Sequence, residues 1–252
     1  SNGSSSNINA ATYIAISQIC KVIGFAAKTD LAIFNFNTGI ITAQRRQLES
    51  WLGRISNNNA QNEFYLTDCI ELAVTDSINI INVHPKCMEE ILGVNDQLQL
   101  AHLERYTQQI QAQKLLRAGV AIRDPARFDL RGSLQAGMDV SIDVNTVIEG
   151  NVILGDEVNI GPNCLLRNCT IGNKTNIYAN SIIEDAIIAE SVHIGPFARI
   201  RPGTKLAANV HIGNFVEIKN SQIGLGSKAN HLTYLGDSNV GSGVNIGAGT
   251  IT

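Results

Sequence analysis

The chain has 252 residues, 44% of them hydrophobic, and a formal charge of −3. That length holds one or two domains with a real core, and the lack of a basic surplus argues against nucleic acid as a partner. Ile14–Phe34 is the most apolar early stretch, but Lys21, Lys28 and Asp30 interrupt it and no basic segment precedes it, so neither a membrane span nor a signal peptide is expected. The five cysteines (Cys20, Cys69, Cys87, Cys164, Cys169) are odd in number and lack paired metal spacing, which fits a reducing cytoplasm.

Residues 1–12 begin with SNGSSSNIN, a polar low-complexity run read as disordered or left over from cloning. Residues 13–36 read as strands with turns. FNFNTGI (34–40) reads as a strand with a turn at Asn37-Thr38-Gly39. Residues 43–55 predict a helix with Leu48, Trp51, Leu52 and Ile55 on one face, ended by Asn57-Asn58-Asn59. Asp68 and Glu71 suggest a capping box opening a second helix. SINIINV (77–83) reads as a strand stopped by Pro85. This alternation belongs to an α/β layer, here 13–95, with no glycine-rich phosphate loop. A helix over 96–118, striped with Leu103, Tyr106 and Ile110 and closed by Gly119, is expected to link it through 129 to the rest.

From Leu130 an aliphatic residue recurs at every sixth position, with occasional slips to five. The series runs through Ile142, Ile148, Leu154, Ile160 and Leu166, then Ile171, Ile177, Ile183 and Ile188, and on through Ile194, Ile200, Leu206, Ile212 and Ile218 to Ile246. Such a repeat predicts a parallel β-helix over 130–252: each six makes one strand and one corner, and three close a coil of about 18 residues. Residues one coil apart then stack. Arg201 and Lys219, each just after an inward aliphatic, should stand side by side and invite an anion between them. Arg199, Glu217 and Tyr234 form a parallel column in which Arg199 is expected to pair with Glu217; His231 lies in the turn before Tyr234. A base, a carboxylate, a phenol and two cations thus converge. His193 and His211 stack on another face, but Lys228 and Asn245 follow in their column, which speaks against a metal.

From about Phe34 onward the chain resembles the bacterial family of bifunctional N-acetylglucosamine-1-phosphate uridyltransferase/glucosamine-1-phosphate N-acetyltransferases. The resemblance is carried by FNTGI (36–40), NNNAQNEFYLTD (57–68), GVNDQLQL (93–100), RDPARFDLRG (123–132), IGPFARIRPG (194–203), GNFVEIKNS (213–221), HLTYLGD (231–237) and NIGAGTIT (245–252). It implies a partial Rossmann-like uridyltransferase domain, a helical arm and a left-handed parallel β-helix that trimerises. It also implies acetyl transfer from acetyl-CoA to glucosamine 1-phosphate, then coupling of N-acetylglucosamine 1-phosphate to UTP with Mg²⁺, giving UDP-N-acetylglucosamine for cell-wall and lipopolysaccharide synthesis.

By the same resemblance His231 is the general base and Glu217 assists at the amine. Arg201, Lys219, Tyr234 and Asn245 bind the sugar phosphate and Ala248 contacts acetyl-CoA. Asn95 is a Mg²⁺ ligand and Asn37 contacts the nucleotide sugar. The family's nucleotide loop and the aspartate that shares Mg²⁺ with Asn95 find no counterpart here, and Thr252 falls inside a coil, so a fragment is expected. Two other readings compete: a non-catalytic trimerising β-helix, and a hexapeptide metalloenzyme of the carbonic anhydrase type, for which a third histidine is wanting.

Overall fold

The structure, a computed structural model, describes residues 14–18 and 37–252. The expectations for residues 1–12 and for the turns between 19 and 36 fall outside them. The chain divides into two compact units, 1–95 and 96–252.

In the first unit a three-stranded sheet has the order β2-β1-β3, with β1 at Ile14–Gln18, β2 at Asn37–Thr42 and β3 at Ile80–Asn82. β1 runs antiparallel to β2 and parallel to β3. Asn37, Thr38 and Gly39, expected to turn, instead open β2: Asn37 pairs with Gln18, and Thr38 and Gly39 fall where the register to β1 shifts before Ile41 pairs with Ile16. Helix α1 (Arg45–Leu52) ends at Gly53, ahead of the asparagines expected to stop it. Trp51 is buried against Cys69 and Ala73 of α2 (Asp68–Thr75), whereas Leu52 is exposed rather than inward. The Trp51 indole Nε1–H donates to Asp76 at 2.8 Å and Arg54 reaches the same oxygen at 2.6 Å. Their hydrogen bonds hold the Asp76 carboxyl below its usual range. The capping box at Asp68 and Glu71 does not form. Thr67 is the N-cap, in helical conformation, and its side chain makes no capping bond.

The second unit is a left-handed parallel β-helix with one long helix laid on its first coil. Helix α3 (Gln97–Arg117) is capped by the Asp96 carboxylate, which accepts from the Gln99 amide at 2.8 Å. Its C-cap is Ala118, and Gly119 follows at φ +96°, a conformation that suits a residue without Cβ. Ala112 and Gln108 are the residues of α3 fully buried; Leu103, Tyr106 and Ile110 are half-buried beside them. The buried Gln108 behaves like a surrogate strand: its Oε1 accepts from the Leu130 amide at 2.7 Å and its Nε2 donates to the Leu130 carbonyl at 3.1 Å. The sheet takes up the chain at Ala121–Ile122, paired with Ser141–Ile142, ahead of the Leu130 at which the six-residue count opens.

The β-helix has three faces. Ile142, Ile160, Ile177, Ile194, Ile212 and Ala229 stack inside the first. Leu130, Ile148, Leu166, Ile183, Ile200, Ile218 and Leu235 stack inside the second. Ala136, Leu154, Ile171, Ile188, Leu206, Ile223 and Val240 make the seven rungs of the third. Successive coils are 18 or 17 residues apart, as between Asn159, Asn176, His193 and His211. Side chains alternate along a strand, so the flanking residue of each rung points out.

A second inward series sits two residues before each aliphatic and includes Val140, Cys164, Thr175, Ser181, Val192, Thr204, Val210 and Ser221. Its polar members are buried because their hydroxyls bond backbone: Thr175 Oγ1 donates to the Ala189 carbonyl at 3.1 Å, and Ser221 Oγ to the Lys219 carbonyl at 2.8 Å. The thiols of Cys164 and Cys169 are buried too, and burial pushes them up to about 11 and about 12.

Candidate active site

On the second face, the residues just after the inward aliphatics run Arg131, Glu149, Arg167, Glu184, Arg201, Lys219. The charges alternate for five coils and neighbours pair. Arg131 lies 3.3 Å from Glu149, Arg167 Nε donates to Glu149 at 2.7 Å, and Arg167 Nη1 donates to Glu184 at 2.9 Å. Stacked like charges in a parallel ladder repel. Alternation avoids this until Lys219, where a second cation follows Arg201. The break is local and leaves two cations adjacent in the column with no carboxylate between them.

Each of these cations holds one carboxylate. Arg201 Nη1 donates to Glu217 Oε1 at 2.8 Å, and Lys219 Nζ lies 3.7 Å from Asp237. The expected Arg199–Glu217 pair is not made. Their Cα atoms are in register, but the Arg199 guanidinium turns to Glu184 at 3.8 Å and leaves Glu217 to Arg201. Asp237 went unnoticed in the sequence. Asn220 Nδ2 donates to it at 2.7 Å, and that bond, with Lys219, holds its carboxyl below the usual range. All four charged groups are partly exposed, so the pairs orient side chains more than they stabilise the fold.

Tyr234 follows Glu217 in register and is half-buried. Its ring covers Gly236: a Cβ there would stand 2.7 Å from Tyr234 Cε1, so only glycine admits the ring. His231 is exposed at the corner between the first and second faces, and its Nδ1 lies 2.7 Å from Asn214 Oδ1, one coil below. Ala248 occupies the same corner one coil further on, because Ala229 registers with Ile246. Asn245 stands on the first face, in the column of His193, His211 and Lys228. The structure therefore strings Asn245, His231 with Ala248, Glu217 with Tyr234, and Arg201 with Lys219 along an arc across one corner.

Phe197, Phe215 and Leu232 line that corner too. They adopt φ of 57°, 58° and 48°, at the position where lower coils place Asn145, Asn163 and Asn180. Asparagine adopts this conformation far more readily than bulky residues do. The two phenyl rings stack with centroids 5.2 Å apart and stay half in solvent, with Leu232 beyond them.

Among the described residues no group of three or more His, Cys, Asp or Glu is placed to hold a metal. Asn95 is exposed in the segment before α3, and Asp96, next in the chain, is engaged as the helix cap. Asn37 pairs with Gln18 through the backbone, and its side chain lies outside the described residues. These residues do not make a Mg²⁺ site by themselves, since a hard cation wants several oxygen ligands. His193 bonds the Tyr178 hydroxyl through Nδ1 at 3.1 Å and packs edge-on against His211.

Burial pushes His211 below the usual imidazole range, and His193, Lys228 and His231 add to this. The unfolded chain therefore takes up the proton first as pH falls. The stability His211 contributes is present above the ordinary histidine pKa of about 6.5 and is lost as pH drops through the lower folded value. The thermal midpoint should accordingly fall on acidification below that point, and less steeply in His211→Gln. Equal slopes for the two proteins would count against it.

Fold and site together define a hexapeptide-repeat β-helix carrying cations, carboxylates, a phenol and an imidazole at one corner. A family model described as the GMPPB C-terminal domain matches residues 130–229. The bifunctional protein GlmU of Acinetobacter baylyi is 55% identical over 227 residues, 90% of this chain and 50% of its own length. That of Acinetobacter baumannii strain AYE is 54% identical over the same shares. Over this region the chain is similar to bifunctional GlmU proteins. It spans about half the length of these curated relatives. The acetyltransferase domain of PglB from Neisseria gonorrhoeae FA1090, in complex with acetyl coenzyme A, matches at 14% identity and a TM-score of 0.22, over 69% of this chain and 87% of that one.

Proposed function

We propose that the β-helix transfers acetyl from acetyl-CoA to the amine of glucosamine 1-phosphate, and that the full-length protein then joins the product to UTP. The carrying observation is the break in charge alternation at Arg201 and Lys219, which gives a sugar phosphate two adjacent cations on the face beside the corner that carries an exposed imidazole. Arg201 and Lys219 hold the phosphate, and Tyr234 and Asn245 border the sugar. His231 Nε2 takes the proton that the amine sheds as it attacks the thioester carbonyl, and returns it to the CoA sulfur as the C–S bond breaks. Glu217, hydrogen-bonded to Arg201, steadies the positive charge that develops on the nitrogen before that proton leaves. Ala248, small and exposed above His231, leaves room for the acetyl donor. The test is release of CoA thiol with glucosamine 1-phosphate against glucosamine. A strong preference for the phosphate ester supports the assignment, and equal rates overturn it.

The arc of side chains wraps a convex corner, and a convex surface encloses no ligand. A second copy must supply the opposing wall, and the exposed Phe197, Phe215 and Leu232 offer it an apolar contact. A homotrimer with sites between subunits is the expected assembly; light scattering at micromolar concentration should give three chain masses, and a monomer would sink it.

Uridyl transfer, with Mg²⁺ as its cofactor, belongs to the other half of the proposal. The 252-residue sequence has no glycine-rich loop to cradle phosphates. This chain alone should therefore make no UDP-N-acetylglucosamine from UTP and bind Mg²⁺ weakly; measurable product from the purified chain would refute that. The helices described include none long and apolar enough to cross a membrane. No membrane step enters the scheme, and a cytoplasmic setting, where acetyl-CoA and UTP are available, suits it.

A further inference from the structure

We propose that Asn214 is a positioning residue for this reaction, fixing the His231 imidazole with its proton on Nδ1 so that Nε2 is the free base. The inference rests on the acetyltransferase reading above. Three observations carry it. The first is chemical: His231 Nδ1 lies 2.7 Å from Asn214 Oδ1, and an amide oxygen only accepts, so the proton of that bond sits on Nδ1. Imidazole left to itself favours the other tautomer, with Nε2 protonated and useless as a base.

The second is positional. In the lower coils the corner column that contains Asn214 and His231 is filled by Val144, Pro162, Ala179 and Pro196, none with a polar side chain. Asn214 is the polar exception, and it comes directly beneath the histidine. The third is mechanical. Elsewhere on the first face the strands are two residues long and the corner interrupts pairing, as at Asn176–Ile177 and His193–Ile194. At these two coils the strands run unbroken through the corner, His211–Lys219 against Lys228–Gly236, and Asn214 registers directly with His231. A continuous ladder holds donor and acceptor with the tolerance a reacting group requires.

The neutrality of the amide matters as well. His231 already faces Lys228 on its own strand and His211 on the coil below, with Glu217 further along the strand of Asn214. A carboxylate at 214 would orient the ring equally but would also stabilise the imidazolium and keep the base protonated at neutral pH. Asparagine orients without charging.

Two measurements test this. In the 252-residue chain, imidazole ¹⁵N shifts should place the neutral-state proton of His231 on Nδ1, and Asn214→Leu should move it to Nε2. In full-length protein, Asn214→Leu should lower kcat for acetyl transfer about 10–100-fold, the range a group orienting an imidazole commands. KM for glucosamine 1-phosphate should stay within about twofold, because the residue touches no substrate. Asn214→Asp should recover most of the lost kcat on the alkaline plateau, with the acidic limb of the pH profile shifted to higher pH. Proton on Nε2 in the parent chain, an unchanged kcat, a loss confined to KM, or no rescue by aspartate would each overturn the role. If His231→Ala leaves acetyl transfer intact, the base assignment itself fails. If His231→Ala abolishes it while Asn214→Leu does not, only the positioning role fails.

Discussion

His231→Ala in the full-length enzyme should lower acetyl transfer by about 10²–10⁴, the usual worth of a positioned general base, and leave uridyl transfer unchanged. The side chain is exposed and its one polar partner is Asn214, so its removal leaves the inward ladders of the β-helix intact. Lys219→Ala should differ in kind, raising KM for glucosamine 1-phosphate, because in the proposed binding mode its partner is the phosphate rather than the reacting amine. Were His231 only a packing residue, the mutant would lose thermal stability and both activities would fall together on warming. Rates taken where both proteins are folded separate the cases, and an unchanged acetyl-transfer rate removes His231 from the mechanism.

The second large effect is on stability. Ile200 is fully buried on the second face, stacked between Ile183 and Ile218. Ile200→Ala should destabilise the β-helix by about 2–5 kcal/mol, the transfer loss plus a cavity that stacked coils cannot collapse to fill. Each coil rests on its neighbours, so the loss is felt across the adjoining interfaces rather than at one rung. Arg199 and Arg201 flank Ile200 and point outward, so acetyl transfer should weaken in step through the displaced phosphate contact. Denaturant titration reads the first effect, and a midpoint within error of the parent would contradict the packing argument.

Periodicity made the β-helix legible because each strand buries one aliphatic, and that single constraint repeats through the coils without regard to the corners. The second inward series was hidden by its chemistry. Thr175, Ser181 and Ser221 look polar in a sequence, and only the coil geometry brings backbone groups to their hydroxyls. The like-charged pair at Arg201 and Lys219 could be read from coil spacing, whereas their carboxylate partners could not. Register fixes Cα atoms, but an arginine side chain reaches diagonally, which is how Arg199 came to Glu184 and Glu217 to Arg201. Asn214 did leave a signal: a polar residue in a column otherwise filled by valine, alanine and proline, visible only once coils are laid over one another. In the first unit local cues misled. Asn-Thr-Gly is turn chemistry, and here it is spent on an irregularity inside β2, between the pairs Asn37–Gln18 and Ile41–Ile16, rather than on a turn between elements.

The burial of Cys164 and Cys169 gives the molecule a built-in clock. Thiolate is the species that alkylating reagents attack, and with these thiols pushed up to about 11 and about 12 almost none exists at neutral pH while the coils stay closed. Modification at either position therefore counts openings of the solenoid around those rungs. A time course of iodoacetamide labelling, read by peptide mass, would report how often the third and fourth coils part, without any engineered label.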